Sequence, residues 1–441
     1  MNAFDLLPFQ TAFDPPQQVE GTLDPLGLYS IADALGVRLA PGIRERQRTP
    51  RFLTLALVGH AACEGLEEVP SPNRPPAWLV YEWLIVSALV DRLQGTEDLR
   101  GIPGQEKIKE CMARHEAICA SNYLKTPSVF GFHGIYRIFG TKAGLFDSTG
   151  NIYRRGRDVL HAWQSDQKLS GFLEAGGEVG KVRSEIRSVV KQGQIEGKLG
   201  NSSRPLREWI AVHLNPYRPG LAEQGALWNA VTATDEIRGE YALLLVSGDG
   251  QRDWLASDGS ESHYHMRIIR RCGNRLQHLL RAVQRFERLA RLLTDAFDEA
   301  RFRMSGEIGP VNAEWLGQGG CMKIAARECN AAFSDALEVL GDIDPTARGR
   351  LEEQFAWAGE PTDASSFAAR LLDHHAKVQH NKPPNGKRSW FDAFGDGRVA
   401  IRPGYTLKEN EAKPGRYVHA YRTRPIWDFA ADLGYASGEA K

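Results

Sequence analysis

Residues 266–294 constrain the fold most, because basic and apolar residues recur there with the period of an α-helix. Placed at about 100° per residue, the basic positions fall on one stripe, while apolar residues from Ile268 to Leu293 occupy the opposite side. Glu287 is the one acid in this segment. The pattern predicts a single amphipathic helix over 266–294. Its basic stripe consists of Arg267, Arg271, Arg275, His278, Arg281, Arg285 and Arg288.

The basic stripe is typical of a surface that binds a polyanion. At about 1.5 Å per residue it is roughly 30 Å long, about the length of one duplex turn. Its cations are arginines and not lysines, and the planar guanidinium matches phosphate or carboxylate geometry. We therefore expect these arginines and the neighbouring Arg270 to contact nucleic acid. The alternative is pairing with acidic helices of this chain or of a partner protein.

Composition limits where such an affinity can reside. The 55 basic and 55 acidic residues cancel, so attraction to nucleic acid must be local. The six cysteines form no CxxC pair, which favours free thiols in a reducing cytoplasm. The first residues do not resemble a signal peptide, and the longest apolar stretch, 77–90, carries Glu82. We expect a cytoplasmic protein with no membrane partner.

The chain length of 441 residues favours several domains, and helical periodicity dominates. We predict a mainly α, multi-helix protein with a winged-helix-like N-terminal region and a small C-terminal α+β unit of three strands. The predicted parts are an extended N-terminal arm (1–45), a helical domain with a winged-helix-like hairpin (46–170), a polar link (171–204), a helical bundle with the arginine helix (205–362) and the α+β unit (363–441).

Residues 126–165 carry the winged-helix prediction. Thr126-Pro127 is a typical helix start, and 145–153 reads as two short strands around a polar turn. Arg154, Arg155 and Arg157 then open another helix. This order resembles a winged helix-turn-helix domain, in which a hairpin with basic flanks follows the recognition helix, so we expect these three arginines to contact DNA. The alternative is a small helical domain with an incidental hairpin.

The C-terminal unit contains a second candidate contact surface. Gly395-Asp-Gly397 is a strong hairpin signal between predicted strands at 387–391 and 398–402, and 417–421 is the predicted third strand. Lys387, Arg388 and Trp390 place cations beside an aromatic ring. This arrangement suits stacking and phosphate contact on single strands. A proline-rich connector into the hairpin is the simpler alternative.

Motifs for catalysis are mostly missing. The sequence contains no P-loop, GxGxxG, GxSxG or HExxH motif. His374, His375 and His380 include no i,i+4 pair, so we expect no metal site and no cofactor. The missing motifs favour a non-catalytic protein but leave the question of an enzymatic activity open.

Two Arg–His pairs leave one enzymatic alternative open. Six residues separate Arg271 from His278, and five separate Arg207 from His213. These spacings resemble the Rx4–6H motif of the helical HEPN ribonucleases. The resemblance implies metal-independent RNA cleavage, with His as general acid or base and Arg on the phosphate. The residue after the arginine departs from the family's pattern at Cys272.

Residues 23–56 and 374–391 resemble stretches of poorly characterised bacterial proteins encoded beside helicases and nucleases in antiphage defence islands. The resemblance implies no catalytic residues. Together with the basic helix it predicts a non-catalytic nucleic-acid-binding or accessory component of a defence or DNA-processing system. DNA is favoured over RNA, and a helicase or nuclease is the expected protein partner. The alternatives are the HEPN-like ribonuclease and an adaptor that docks an acidic partner through the arginine helix.

Overall fold

The computed structural model describes residues 24–66, 74–95, 99, 101–383, 385–409 and 415–437. These residues form 19 α-helices and one two-stranded hairpin, so the prediction of a mainly α fold is confirmed. They divide into two compact units, each built from segments distant in sequence. Unit 1 comprises the described residues of Met1–Leu39 and Ser260–Tyr421, and unit 2 those of Ala40–Gly259 and Arg422–Lys441.

In chain order the helices are α1 (Tyr29–Leu39), α2 (Phe52–Ala62), α3 (Ala77–Leu93), α4 (Gln105–Ala113), α5 (Pro127–Phe130), α6 (Phe132–Lys142), α7 (Arg154–Asp166), α8 (Gly177–Glu196), α9 (Arg204–His213), α10 (Leu221–Thr232), α11 (Glu236–Val246), α12 (Gly248–Leu255), α13 (Glu261–Ile268), α14 (Asn274–Ser305), α15 (Ala313–Gly317), α16 (Gly320–Ile343), α17 (Pro345–Phe355), α18 (Ala364–His380) and α19 (Thr423–Asp432). The strands are β1 (Phe391–Ala393) and β2 (Val399–Ile401). Unit 1 contains α1, α13–α18 and both strands, and unit 2 contains the other helices.

Helix α14 is the central element of unit 1. Its apolar side, which includes Leu276, Val283 and Phe286, is fully buried, as the sequence pattern predicts. It packs antiparallel to α16. Near its C-terminal end the Glu299 carboxylate accepts a hydrogen bond from the Met322 amide at the start of α16, over 3.0 Å.

The basic residues do not lie on one helix, so the prediction of an unbroken helix over 266–294 is wrong. Helix α13 ends at Ile268, a 3-10 turn covers Ile269–Arg271, and α14 begins at Asn274. Gly273 is extended, with φ −63° and ψ 162°. The Gln277 side-chain amide donates to the Ile269 carbonyl over 2.9 Å, which satisfies a carbonyl close to the break.

The C-terminal hairpin is present, but the predicted three-stranded sheet is wrong. β1 and β2 pair antiparallel, with Phe391 opposite Ile401. Val399 of β2 also exchanges two 2.8 Å backbone hydrogen bonds with Val311. Residues 417–421 form no strand. Their amides bind carboxylates instead: Val418 donates to Glu287 and Tyr421 to Glu261.

Two segments that the sequence predicts as an extended arm and a polar link contain helices. Residues 29–39 of the predicted extended arm form α1, whose start is capped by the Asp24 carboxylate; residues 1–23 lie outside the described residues. Asp24 accepts hydrogen bonds from the Gly27 and Tyr29 amides at 2.8 and 2.9 Å. The predicted polar link over 171–204 contains the 20-residue helix α8.

Helix α3 forms much of the core of unit 2. It is almost entirely buried, including Glu82 near its middle. Across the described ranges, no helix is both long enough and apolar enough to span a membrane.

The segment 145–153 precedes α7 in unit 2. It forms a single antiparallel bridge between Phe146 and Ile152, where the sequence predicts two strands. The Asp147 carboxylate closes the turn by accepting hydrogen bonds from the Thr149 hydroxyl (2.7 Å) and the Asn151 side-chain amide (2.9 Å). These side-chain hydrogen bonds hold the pKa of Asp147 well below its usual range. The turn is therefore locally fixed.

Candidate nucleic-acid interface

The predicted basic stripe of unit 1 spans three elements. Arg267 lies on α13, Arg270 and Arg271 on the 3-10 turn, and Arg275 and Arg281 near the start of α14. All five side chains are exposed. No acidic residue occurs between Glu261 and Glu287, so this stretch of the chain carries no local compensating charge. Among the described residues, Arg270 and Arg281 have no ion pair or hydrogen-bond partner for their side chains.

Two arginines further along α14 are already neutralised. Arg285 forms a salt bridge with Asp335 of α16. Arg288 lies 3.5 Å from both Asp335 and Glu328. Their side chains remain 51% and 47% exposed, so these are surface pairs of small individual energy. For these two arginines, the alternative prediction holds: they pair with acids on another helix of this chain, α16.

The second basic surface lies on unit 2, at the first turn of α7. Arg154, Arg155 and Arg157 are all exposed, and none has an ion-pair partner in the described part of the chain. Positive side chains at a helix N-terminus oppose the helix dipole. These three charges therefore contribute nothing favourable to α7 itself, and a bound anion would satisfy both the arginines and the helix end.

The predicted single-strand surface is not formed as expected. Trp390 is only 7% exposed. Its ring stacks on Tyr405 at 4.7 Å, and the Arg301 guanidinium also lies 4.7 Å from its centroid. Trp390 is thus a packing residue, and its proposed role as a base-stacking platform is wrong. Lys387 and Arg388 are exposed, and Arg388 lies 3.3 Å from Asp392.

The structure separates one of the two Arg–His pairs and gives partners to both residues of the other. Arg271 and His278 lie on opposite sides of the break before α14, so they do not share a helical face. On α9, Arg207 lies 3.4 Å from Asp91, and His213 Nδ1 is 3.1 Å from the Gln167 side-chain oxygen. Arg207 and His213 therefore each contact another residue of unit 2.

Two of the clustered histidines of α18 hydrogen-bond to the segment that precedes α1. His374 Nε2 hydrogen-bonds to the Leu26 carbonyl and His375 Nδ1 to the Pro25 carbonyl, both at 2.8 Å. The other ring nitrogen of His375 accepts from the Trp390 amide at 3.1 Å. Burial lowers the pKa of His375 to about 4, so this ring is neutral at pH 7. No group of three or more His, Cys, Asp or Glu in the described ranges is arranged to hold a metal ion.

A polar cluster around Glu287 was not predicted. The fully buried carboxylate accepts hydrogen bonds from His419 Nδ1 and the Tyr421 hydroxyl, each at 2.7 Å, and from the Val418 amide. His419 and Arg301 line a cavity of about 510 Å³ in unit 1. The available sequence signal is the position of Glu287, four residues after Val283 and three before Ala290, on the apolar face of the helix.

A second cavity lies in unit 2, beside the arginines of α7. Its volume is about 430 Å³. Arg157, His161, Asn151 and His60 are among the residues that line it. These come from α2, from the turn closed by Asp147 and from α7. The cavity is therefore continuous with the basic surface of unit 2.

The two basic surfaces favour an anionic ligand, and the sequence motifs identify no reaction. Function has to be inferred from the chemistry of these surfaces. Comparisons of this chain with protein-family models, with curated proteins and with solved structures found no match.

Proposed function

We propose that this chain binds the phosphate backbone of nucleic acid, with DNA favoured over RNA, as a non-catalytic component of a defence or DNA-processing system. One observation carries the proposal. Of the arginines predicted from the sequence to contact nucleic acid, five are exposed and have no partner among the described residues. They are Arg154, Arg155, Arg157, Arg270 and Arg281.

The absence of acidic partners supports a binding function, because clustered arginine side chains repel one another and this repulsion is unfavourable. On an ordinary surface helix, acids at i±3 or i±4 offset this repulsion. At Arg285 and Arg288 the repulsion is offset by Asp335 and Glu328 of α16. The five unpartnered arginines form no ion pair in the described part of the chain, although Asp158 lies four residues after Arg154 and three after Arg155. Guanidinium groups left free in this way are suited to bidentate contact with phosphate oxygens.

The turn before α7 supports the same proposal. Its fixed backbone precedes three exposed arginines, in the order expected of a wing that lies along duplex DNA. A winged-helix role for this region remains a prediction. A helicase or nuclease as the protein partner likewise remains a prediction.

The proposal is tested by comparing three variants in a fluorescence anisotropy assay with a labelled duplex. We expect Arg270→Ala/Arg281→Ala and Arg154→Ala/Arg155→Ala/Arg157→Ala each to weaken binding about tenfold or more, because each lost charge-assisted contact is worth more than about 1.5 kcal/mol. The matched control is Arg285→Ala/Arg288→Ala, which also removes two arginines from α14. Its effect should be several-fold smaller, because Asp335 and Glu328 already neutralise these side chains.

Equal loss in the control and the test variants would contradict the proposal, since binding would then follow total charge. The adaptor function would be favoured instead if the wild type bound no nucleic acid and the arginine variants lost binding to an acidic partner protein. RNA cleavage in EDTA that depends on His278 or His213 would favour the ribonuclease.

A further inference from the structure

We propose that the cavity of unit 2 receives one unpaired nucleotide of the bound nucleic acid. This inference rests on the proposed function, because Arg157 belongs both to the basic surface and to the cavity wall. The volume of about 430 Å³ lies within the roughly 300–1,000 Å³ range of small-molecule sites. If the base of one nucleotide enters this cavity, the phosphates on either side of that nucleotide remain next to the first turn of α7.

The cavity combines basic residues of α7 and α8 with two acids. Arg157 and His161 are four residues apart on α7, so they lie on the same face, and both are exposed. Glu64, Glu174 and Arg183 also line the cavity, and Arg183 lies 3.5 Å from Glu64. The two carboxylates can accept hydrogen bonds from the amino groups of a base. Arg157 has no ion-pair partner in the described part of the chain, so the charge pattern fits one phosphate beside Arg157 and His161 and a base within.

One polar atom of the wall is a free acceptor. The Asn151 side-chain nitrogen donates to Asp147 and Thr149 at 2.9 and 2.8 Å, which leaves its side-chain oxygen without a hydrogen-bond partner among the described residues. Asn151 is exposed, so a ligand can reach this oxygen, and a base edge can donate a hydrogen bond to it. Burial lowers the pKa of His60, which also lines the cavity, to about 4, so its ring is neutral at pH 7.

Apolar residues form the rest of the wall. Ile152, Leu160 and Leu173 line the cavity together with the polar atoms. A planar base has apolar faces and a polar edge, and it matches this lining better than a sugar or a phosphate does. A base within a duplex has its edge and faces occupied, and extruding it costs pairing and stacking energy. The cavity should therefore select a nucleotide that is already unpaired.

The test uses two duplexes of identical sequence, one of which carries a single extra unpaired nucleotide. We expect the wild type to bind the bulged duplex about tenfold more tightly, since no pairing energy has to be spent on extrusion. Leu173→Trp places a larger ring in the wall where the base would lie and should weaken this preference while leaving affinity for the paired duplex unchanged. His161→Glu, at an exposed position, places a carboxylate beside the entering phosphate and should abolish the preference without a risk to folding. Arg154→Ala, on the same turn but outside the cavity, should weaken binding to both duplexes equally.

Equal affinity of the wild type for the two duplexes would overturn the inference and leave the proposed function standing. A preference that survives both Leu173→Trp and His161→Glu would also overturn it. Absence of binding to either duplex would overturn the proposed function and the inference together.

Discussion

Replacing Arg51 with Met is expected to destabilise unit 2 by about 3–5 kcal/mol, because it leaves a buried carboxylate without its cation. Arg51 and Glu223 are both fully buried, and Arg51 Nε lies 3.0 and 3.1 Å from the two carboxylate oxygens. The guanidinium also donates to the carbonyls of Asn215 and His213. One side chain thus ties the start of α2 to the start of α10 and to the loop that follows α9.

Urea unfolding of the wild type, Arg51→Met and Arg51→Met/Glu223→Leu measures this effect. The double variant should be less destabilised than the single one, because it removes the unpaired charge together with its partner. Arg92→Ala breaks the Arg92–Glu208 surface pair and should cost less than about 1 kcal/mol. If Arg51→Met costs no more than this control, the buried pair does not form as described.

Replacing Glu82 with Gln is expected to remove a large pH dependence of stability. The Glu82 carboxyl is fully buried on α3, and burial raises its pKa from 4.5 to about 8. Its two oxygens accept hydrogen bonds from the Tyr123 hydroxyl (2.9 Å) and the His133 amide (3.0 Å). A Gln side chain can keep both contacts, because the Tyr123 hydroxyl can accept from the new amide. Gln does not titrate, so the pH dependence should disappear.

The sign follows from which state holds the proton. Between about pH 4.5 and pH 8 the unfolded chain has lost the proton of Glu82 while the folded chain retains it, so stability falls as pH rises. We expect the free energy of unfolding of Glu82→Gln minus that of the wild type to grow by about 3–4 kcal/mol from about pH 5 to about pH 8. Buried histidines such as His133 titrate equally in both proteins, so they cancel. Parallel pH profiles would show that Glu82 is ionised in the fold.

The apolar side of the arginine helix could be predicted because spacing by threes and fours over many residues has one simple structural solution. The break before α14 could not. A glycine inside a helix costs only about 1 kcal/mol relative to alanine, so Gly273 is compatible with either outcome. Ile268 and Leu276, on either side of the break, are both fully buried, so the break keeps these two apolar side chains in the core of unit 1. The consequence for function is that the basic residues lie on three elements.

The prediction of a third strand was wrong for a different reason. Residues 417–421 have the aromatic composition of a strand, but two of their amides donate to Glu287 and Glu261. Those acids lie more than a hundred residues earlier, and local pattern contains no information about such contacts. The same holds for Trp390, whose neighbour Arg301 covers the face expected to stack on a base.

The sequence predicted which arginines are candidates for the interface, but not which of them pair with acids. The arginines could be identified as a group from the sequence. Which of them are neutralised depends on α16, whose acids Glu328 and Asp335 meet Arg285 and Arg288 only after the chain reverses direction through α15. The cavity of unit 2 is likewise assembled by packing, from α2, from the turn closed by Asp147 and from α7.

The salt dependence of duplex binding tests the central claim most directly, because each neutralised phosphate contributes about −0.9 to the slope of log K against log salt. The three arginines of α7 contribute about −2.7 to the slope, and Arg270 and Arg281 contribute about −1.8. The variant Arg154→Ala/Arg155→Ala/Arg157→Ala should therefore flatten the slope by about two to three units, Arg270→Ala/Arg281→Ala by about two, and Arg285→Ala/Arg288→Ala by less than about one. A wild type that does not bind at about 50 mM salt, or a control that flattens the slope as much as Arg270→Ala/Arg281→Ala, would contradict the assignment of these arginines to phosphate contact.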